Sequence, residues 1–123
     1  MLICVGSIAF DSVETPEGRV DEVLGGSATY FGFAASLFGP VGLVGVVGDD
    51  FPEEALGLFR RRGIDSAGVS RVPGRTFRWA GRYLEDMNVR QTTNLELNVL
   101  GEFDPVVPAS YLDASHWFLA NAS

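Results

Sequence analysis

The sequence predicts an α/β fold with a partly parallel central sheet, flanking helices and a small projecting lid sheet. Three observations predict it. Residues 2–5 and 41–47 are apolar runs without charge, as expected of strands covered on both faces. Helical stretches follow each run, an order that builds parallel sheets. Two later segments, residues 76–84 and 92–100, alternate apolar and polar side chains with the period of half-exposed antiparallel strands.

Taken in order, the first strand at residues 2–5 ends at Gly6-Ser7, and Asp11 follows. A carboxylate beyond the carboxyl end of a buried strand stands where open α/β sheets place ligands, and there it would accept hydrogen bonds from hydroxyl groups. It reads equally as an Asx-type turn residue. Residues 12–14 and 20–24 flank Thr15-Pro16-Glu17-Gly18-Arg19, a candidate hairpin that projects from the main sheet. Gly25-Gly26 then opens a helix closed by Gly39-Pro40. Paired glycines let backbone N–H groups approach a polar ligand, and they also suit a tight turn before a core helix. Ala28, Phe31, Ala35 and Phe38 share one helical face, and Tyr30, Phe33, Ala34 and Leu37 fill the rest. The helix is therefore expected to be buried on more than one side.

Residues 41–47 form the second central strand. The next helix has Asp49 or Asp50 as its expected cap, Pro52, Glu53 and Glu54 in its first turn, and Arg60, Arg61 and Arg62 in its last. These helix-end roles argue against a metal site at the two aspartates or a phosphate site at the arginines. A short strand is expected at residues 69–72. In residues 76–84, Phe77, Trp79 and Tyr83 oppose Arg78 and Arg82, and the arginines read as solvated strand residues. Residues 109–113 suggest a brief helix, and residues 117–120 a third central strand. The lid strands thus span approximately 12–24 and 76–100. Asn121, at the ligand-facing end of the third strand, is a candidate polar contact.

With 123 residues, the chain is at most one domain with a real core. A net charge of −7 argues against nucleic acid. Every positive side chain is Arg, which excludes a Walker-type P-loop. Cys4 and His116 are single, so an intrachain disulfide and a His-based metal cluster are both excluded. The apolar runs are too short to span a bilayer and the amino-terminus lacks signal-peptide character, so a cytoplasmic location is expected. A Rossmann dinucleotide site fits poorly, because Gly-Ser follows the first strand where G-x-G-x-x-G would be needed.

Five pieces in register, Gly6–Asp11, the hairpin, Gly25–Phe31, Leu43–Phe51 and Arg60–Asp65, together resemble the ribokinase-like (PfkB) carbohydrate kinase family. The resemblance covers essentially the whole chain and implies a ribokinase-like domain. It implies phosphoryl transfer from ATP, with Mg²⁺, to a hydroxyl of a sugar or nucleoside. It places Asp11, Gly25, Gly26, Ser27 and Tyr30 on the acceptor substrate beneath a lid. Two positions depart from ribokinase itself: Tyr30 stands for an Asn, and Ser27 for a frequent Lys. The family's Gly-Ala-Gly-Asp segment, which carries the catalytic base, has no match. No catalytic or metal-binding residue is therefore assigned in this chain. Residues 1–123 are expected to be the amino-terminal part of one such domain, inactive alone. The alternative is a non-catalytic binding or self-association module that forms a homodimer through the lid sheet.

Overall fold

The computed structural model describes residues 1–122; Ser123 lies outside them. In chain order the elements are β1 (Leu2–Val5), β2 (Ala9–Thr15), β3 (Gly18–Gly25), α1 (Ser27–Ser36), β4 (Val41–Gly48), α2 (Glu53–Arg61), β5 (Ile64–Val72), β6 (Phe77–Tyr83), β7 (Arg90–Glu96) and β8 (His116–Leu119). Short 3₁₀ turns occupy Asn98–Glu102 and Ala109–Tyr111.

Two four-stranded sheets result. The first is parallel, in the order β5-β4-β1-β8. Every residue of β4 is buried, as its charge-free Val/Gly sequence requires of a central strand. The second is mixed, in the order β3-β2-β6-β7. Two antiparallel hairpins, β2/β3 and β6/β7, lie side by side through a parallel β2/β6 pairing.

The main core lies between the parallel sheet and the two helices. It contains Cys4, Leu43, Val47, Phe51, Phe59 and Ile64, with Ala28 from α1 and Phe10 reaching in from β2. On the other face Tyr111 packs with Ile3 and Val44. Its ring lies over backbone that a side chain would obstruct: a Cβ at Gly42 or Gly68 would stand 2.8 Å from ring carbons. The Tyr111 hydroxyl donates to Asp65 Oδ1 at 2.7 Å and accepts from the Gly68 N–H at 3.3 Å, so it is satisfied within the core.

Several expectations need correction. Asp11 lies inside a strand of the second sheet rather than in a loop after β1. The expected strand at residues 92–100 stops at Glu96, because Asn98 adopts φ 51° and begins a 3₁₀ turn. The strand expected at residues 69–72 is longer, starting at Ile64. Neither Asp49 nor Asp50 caps α2; Pro52 holds the N-cap position without a side-chain cap. The α1 expectation also fails. The helix buries only Ala28, Thr29 and Gly32, whereas Tyr30, Ala34, Leu37 and Phe38 face outward. Small residues let α1 lie close on the sheet, with Gly32 against Leu43, while Phe31 and Phe33 pack only partly buried at the edges of the core. Beside them the edge strand β8 exposes Trp117, Phe118 and Leu119, and Phe118 stacks on Phe31 with ring centroids 4.0 Å apart.

Candidate functional site

The site forms where the end of β1 meets the start of α1. Ser7 ties the two together. Its carbonyl accepts from the Ala28 N–H at 2.9 Å, its hydroxyl accepts from the Ser27 N–H at 3.0 Å, and its own N–H donates to Ser27 Oγ at 3.1 Å. The Ser27 hydroxyl also donates to the Asn121 carbonyl, so ends of β1, α1 and β8 meet at one side chain. Gly26 is required here twice over. Its φ of 94° is left-handed, and a Cβ would lie 2.5 Å from the Ser7 carbonyl oxygen.

The second sheet supplies the opposing wall. Asp11 on β2 pairs with Val23 on β3 and with Trp79 on β6, next to a bulge in which Asp21 and Glu22 of β3 lie opposite Ser12. Its carboxylate rests against Gly25, where a Cβ would fall 2.1 Å from Oδ2. The Tyr30 hydroxyl donates to Asp11 Oδ2 at 3.3 Å. Half-burial pushes the Asp11 carboxyl above its usual range, partly offset by hydrogen bonds from Tyr30 and the Gly26 N–H. Burial, then the Asp11 charge, raises the Tyr30 phenol as well, so it stays a donor.

Between the walls lies a cleft of about 460 Å³. Asp11, Gly26, Ser27, Tyr30 and Asn121 line it, with Gly25 directly behind Asp11. The structure therefore brings together all six residues singled out from the sequence. The lining also includes residues not singled out as site residues, among them Trp79, Tyr83 and Arg90. The period-two pattern had placed Trp79 and Tyr83 on one face without showing that this face looks into the cleft. Trp79 lies across Gly81, where a Cβ would stand 2.1 Å from its ring. Its indole N–H donates to Thr92 Oγ1 at 3.3 Å, and the Arg90 guanidinium sits 5.3 Å from the ring centroid.

Arg78 and Arg82 point to the opposite face of the second sheet. Arg82 is half exposed and pairs with Glu14 at 3.2 Å, as a solvated strand residue would. Arg78 differs: its side chain is 16% exposed and it bridges Glu22 and Asp50. Asp50 thus serves Arg78 and Thr76 rather than a helix end. Among the described residues no three or more His, Cys, Asp or Glu side chains gather to hold a metal ion. Cys4 is a core thiol, pushed up to about 11 by burial. A separate groove of about 500 Å³ runs along the outward side of α1, but it is lined mainly by apolar side chains such as Phe31 and Phe38. The cleft at Asp11, by contrast, combines a carboxylate, a phenol and glycine backbone.

Comparison with known proteins bears on the fold. No protein-family model matches the chain. A cytidine kinase from Thermococcus kodakarensis is 34% identical over 115 residues, covering 92% of this chain and 40% of that protein. Ribokinase from Cryptococcus neoformans var. grubii serotype A, solved with ADP, superposes with a TM-score of 0.78 at 20% identity, over 96% of this chain and 41% of that one. A nucleoside kinase from Burkholderia thailandensis, solved with inosine, gives 0.72 at 19% identity, over 83% and 38%. The chain has the ribokinase-like fold, and its resemblance to the ribokinase-like (PfkB) family extends from sequence motifs to structure. It spans about two-fifths of the length of these relatives. No helix among the described residues is long and apolar enough to cross a membrane.

Proposed function

We propose that this chain forms the acceptor-binding part of a kinase that phosphorylates a hydroxyl group of a nucleoside. The observation that carries this reading is the pairing of walls in one cleft. Asp11 offers charge-assisted hydrogen bonds to the hydroxyls of a pentose, and Tyr30 and the Gly25-Gly26 backbone offer neutral ones. Trp79 and Tyr83 offer flat apolar surface to whatever the pentose carries. A pentose held through its hydroxyls at Asp11 leaves flat surface for a further ring, and a nucleobase would cover it more fully than a free sugar. The similarity to a cytidine kinase supports the same choice.

The second sheet works as a lid in this reading, excluding water and holding the acceptor hydroxyl in place, which is most of what phosphoryl transfer asks of a protein. ATP with Mg²⁺ is the phosphoryl source implied by the family resemblance. The residues gathered at this cleft fit the acceptor and not that pair, since no carboxylate cluster stands beside it among the described residues. No step through ATP or Mg²⁺ is assigned to them. On this reading the chain works in the cytoplasm and shows no turnover alone.

The test is calorimetric titration of the chain with cytidine, inosine and ribose. A nucleoside is expected to bind at least about tenfold tighter than ribose, and Asp11→Asn is expected to remove binding of both. Equal affinities would discard the role of the aromatic wall, and nucleoside binding that survives Asp11→Asn would discard the site. A self-association reading draws on Val20, Val23 and Leu95, exposed on the second sheet. Sedimentation of the chain decides it, because a dimer that dissociates on Val23→Lys and Leu95→Lys would support it and an unchanged state would not.

A further inference from the structure

We propose that Arg78 is a positioning residue: a latch that sets the angle of the second sheet over the first, and with it the reach of Asp11 across the cleft. The inference starts from how little joins the two sheets. Phe10 enters the main core from β2. Thr76, fully buried, accepts from the Gly48 N–H at 3.0 Å at the end of β4 and donates to Asp50 Oδ1 at 2.7 Å. Asp49 and Gly74 exchange hydrogen bonds beside it, and Tyr30 reaches Asp11 across the cleft. Arg78 is the ion-paired junction.

Its guanidinium touches two neighbouring strands and two loops. Nε donates to both Glu22 oxygens at 3.0 and 3.1 Å, binding β6 to β3. Nη1 donates to Asp50 Oδ2 at 2.8 Å, binding the second sheet to the loop after β4, and to the Thr76 carbonyl at 2.9 Å. The plane lies 5.0 Å from the Phe10 ring centroid, on β2. In the β2/β6 register Arg78 faces Phe10 and Trp79 faces Asp11. The latch therefore acts one residue from the cleft carboxylate, on the opposite face of the same strand pair.

Glu22 shows that the arrangement is held against a local preference. It takes φ 53° without being glycine, and Ser12 Oγ accepts its N–H at 3.0 Å. The β-bulge between Asp11 and Val13 produces this turn and carries the Glu22 carboxylate to Arg78. One bulge thus places Asp11 toward the cleft and Glu22 toward the latch. Only a planar fork meets two carboxylates and a carbonyl while stacking on a ring; an ammonium does not. Asp50 suits a permanent partner. Burial pushes its carboxyl up, but hydrogen bonds from Thr76 and Arg78 outweigh this and hold it below its usual range.

The test compares Arg78→Lys, Asp50→Asn and the control Arg82→Lys in the full chain, all carrying Trp117→Phe so that Trp79 is the remaining indole. With either latch substitution, amides of β2 and β6 are expected to exchange at least about tenfold faster while those of β4 keep their protection. Acrylamide quenching of Trp79 rises, and nucleoside affinity falls by about tenfold. Lysine fails to rescue despite its charge, and the two substitutions together add nothing beyond either alone. Arg82→Lys changes none of these. Unchanged quenching and exchange in β2 and β6 would overturn the latch, as would protection lost equally from β4, which marks a general structural role. The affinity readout rests on the nucleoside reading, but exchange and quenching need no ligand. A failed latch is therefore distinguishable from a failed acceptor assignment.

Discussion

Replacing Gly25 by alanine tests the site more sharply than removing a charged residue, because the change adds one methyl group and nothing else. Gly25 is buried where β3 ends, paired with Ala9. Its backbone is not in the left-handed region, so alanine brings no conformational strain. The new Cβ would stand 2.1 Å from Asp11 Oδ2, 2.6 Å from Asp11 Cγ and 3.1 Å from the Tyr30 hydroxyl. Reaching an ordinary contact of 3.4 Å requires the carboxylate to withdraw by about 1.3 Å, a displacement large enough to spoil a positioned contact. The Tyr30 bond, already 3.3 Å long, does not survive it. The obstructing atoms are ends of side chains, so the fold yields at a cost of about 1 kcal/mol. A hydrogen bond from a hydroxyl to a charged carboxylate contributes about 1.5–3 kcal/mol, so nucleoside affinity is expected to fall roughly 10- to 150-fold. Calorimetric titration and urea denaturation on the same samples separate the two effects. Wild-type affinity in a folded Gly25→Ala chain would refute the assignment of Asp11. A stability loss above about 3 kcal/mol would show that Gly25 serves packing instead.

Gly26→Ala is expected to behave oppositely, losing about 2–4 kcal/mol of stability because both its positive φ and the Ser7 backbone 2.5 Å away resist a Cβ; urea midpoints measure this. Asp11→Asn is expected to abolish binding without destabilising the chain at pH 7. Burial raises the Asp11 carboxyl above its ordinary 3.8, so ionisation disfavours the folded state as pH rises beyond that value. The variant's advantage therefore vanishes below about pH 3.8, as denaturation across pH would show. Asp50 has the reverse sign, since its folded carboxyl lies below 3.8; its contribution is present at neutral pH and fades as pH falls through the folded value. Asp50→Asn should thus cost about 1–3 kcal/mol at pH 7 and progressively less in acid. Leu37→Gln with Phe38→Gln, at 76% and 92% exposure, should leave stability within about 0.5 kcal/mol, as urea midpoints would show.

The parallel strands were legible because burial on both faces leaves a plain signature: 41–47 carries no charge, and β4 has no exposed residue. Asp11, Gly25 and Gly26 were legible as types of residue whose chemistry suits a cleft. That the three meet was implied by motif order rather than by any local pattern. Two kinds of feature were not legible. The first depends on which face of a strand looks where. Alternation separated Trp79 from Arg78 but gave no hint that one lines the cleft and the other lies under Glu22 and Asp50. The second arises where one side chain satisfies two explanations. Asp50 stands just ahead of a helix and looks like its cap, yet Thr76 and Arg78, 26 and 28 residues away, claim both carboxylate oxygens. A local rule fails there because a partly buried guanidinium binds a carboxylate more strongly than a helix end does. The same limit governs α1. An all-round apolar helix implies burial on all sides, but its small residues decide which side meets the sheet.

The two walls of the cleft rest on different foundations, and this has a consequence for the site. Gly26 and Ser27 stand on the parallel sheet, locked by four hydrogen bonds to Ser7 and by the core beneath Ala28. Asp11 and Trp79 stand on a sheet whose β3 and β7 residues are mostly exposed and which meets the core through few side chains. Distances within either wall are set by strand pairing, which is stiff; distances between the walls are set by the joint around Phe10, Thr76 and Arg78. The Tyr30–Asp11 bond crosses that joint, and at 3.3 Å it is long enough to tighten without refolding either wall. An acceptor that hydrogen-bonds Asp11 while touching Gly26 would draw the walls together, gaining contact as the second sheet closes. Affinity and closure are then one equilibrium, and a substitution at the joint changes both although it touches no ligand.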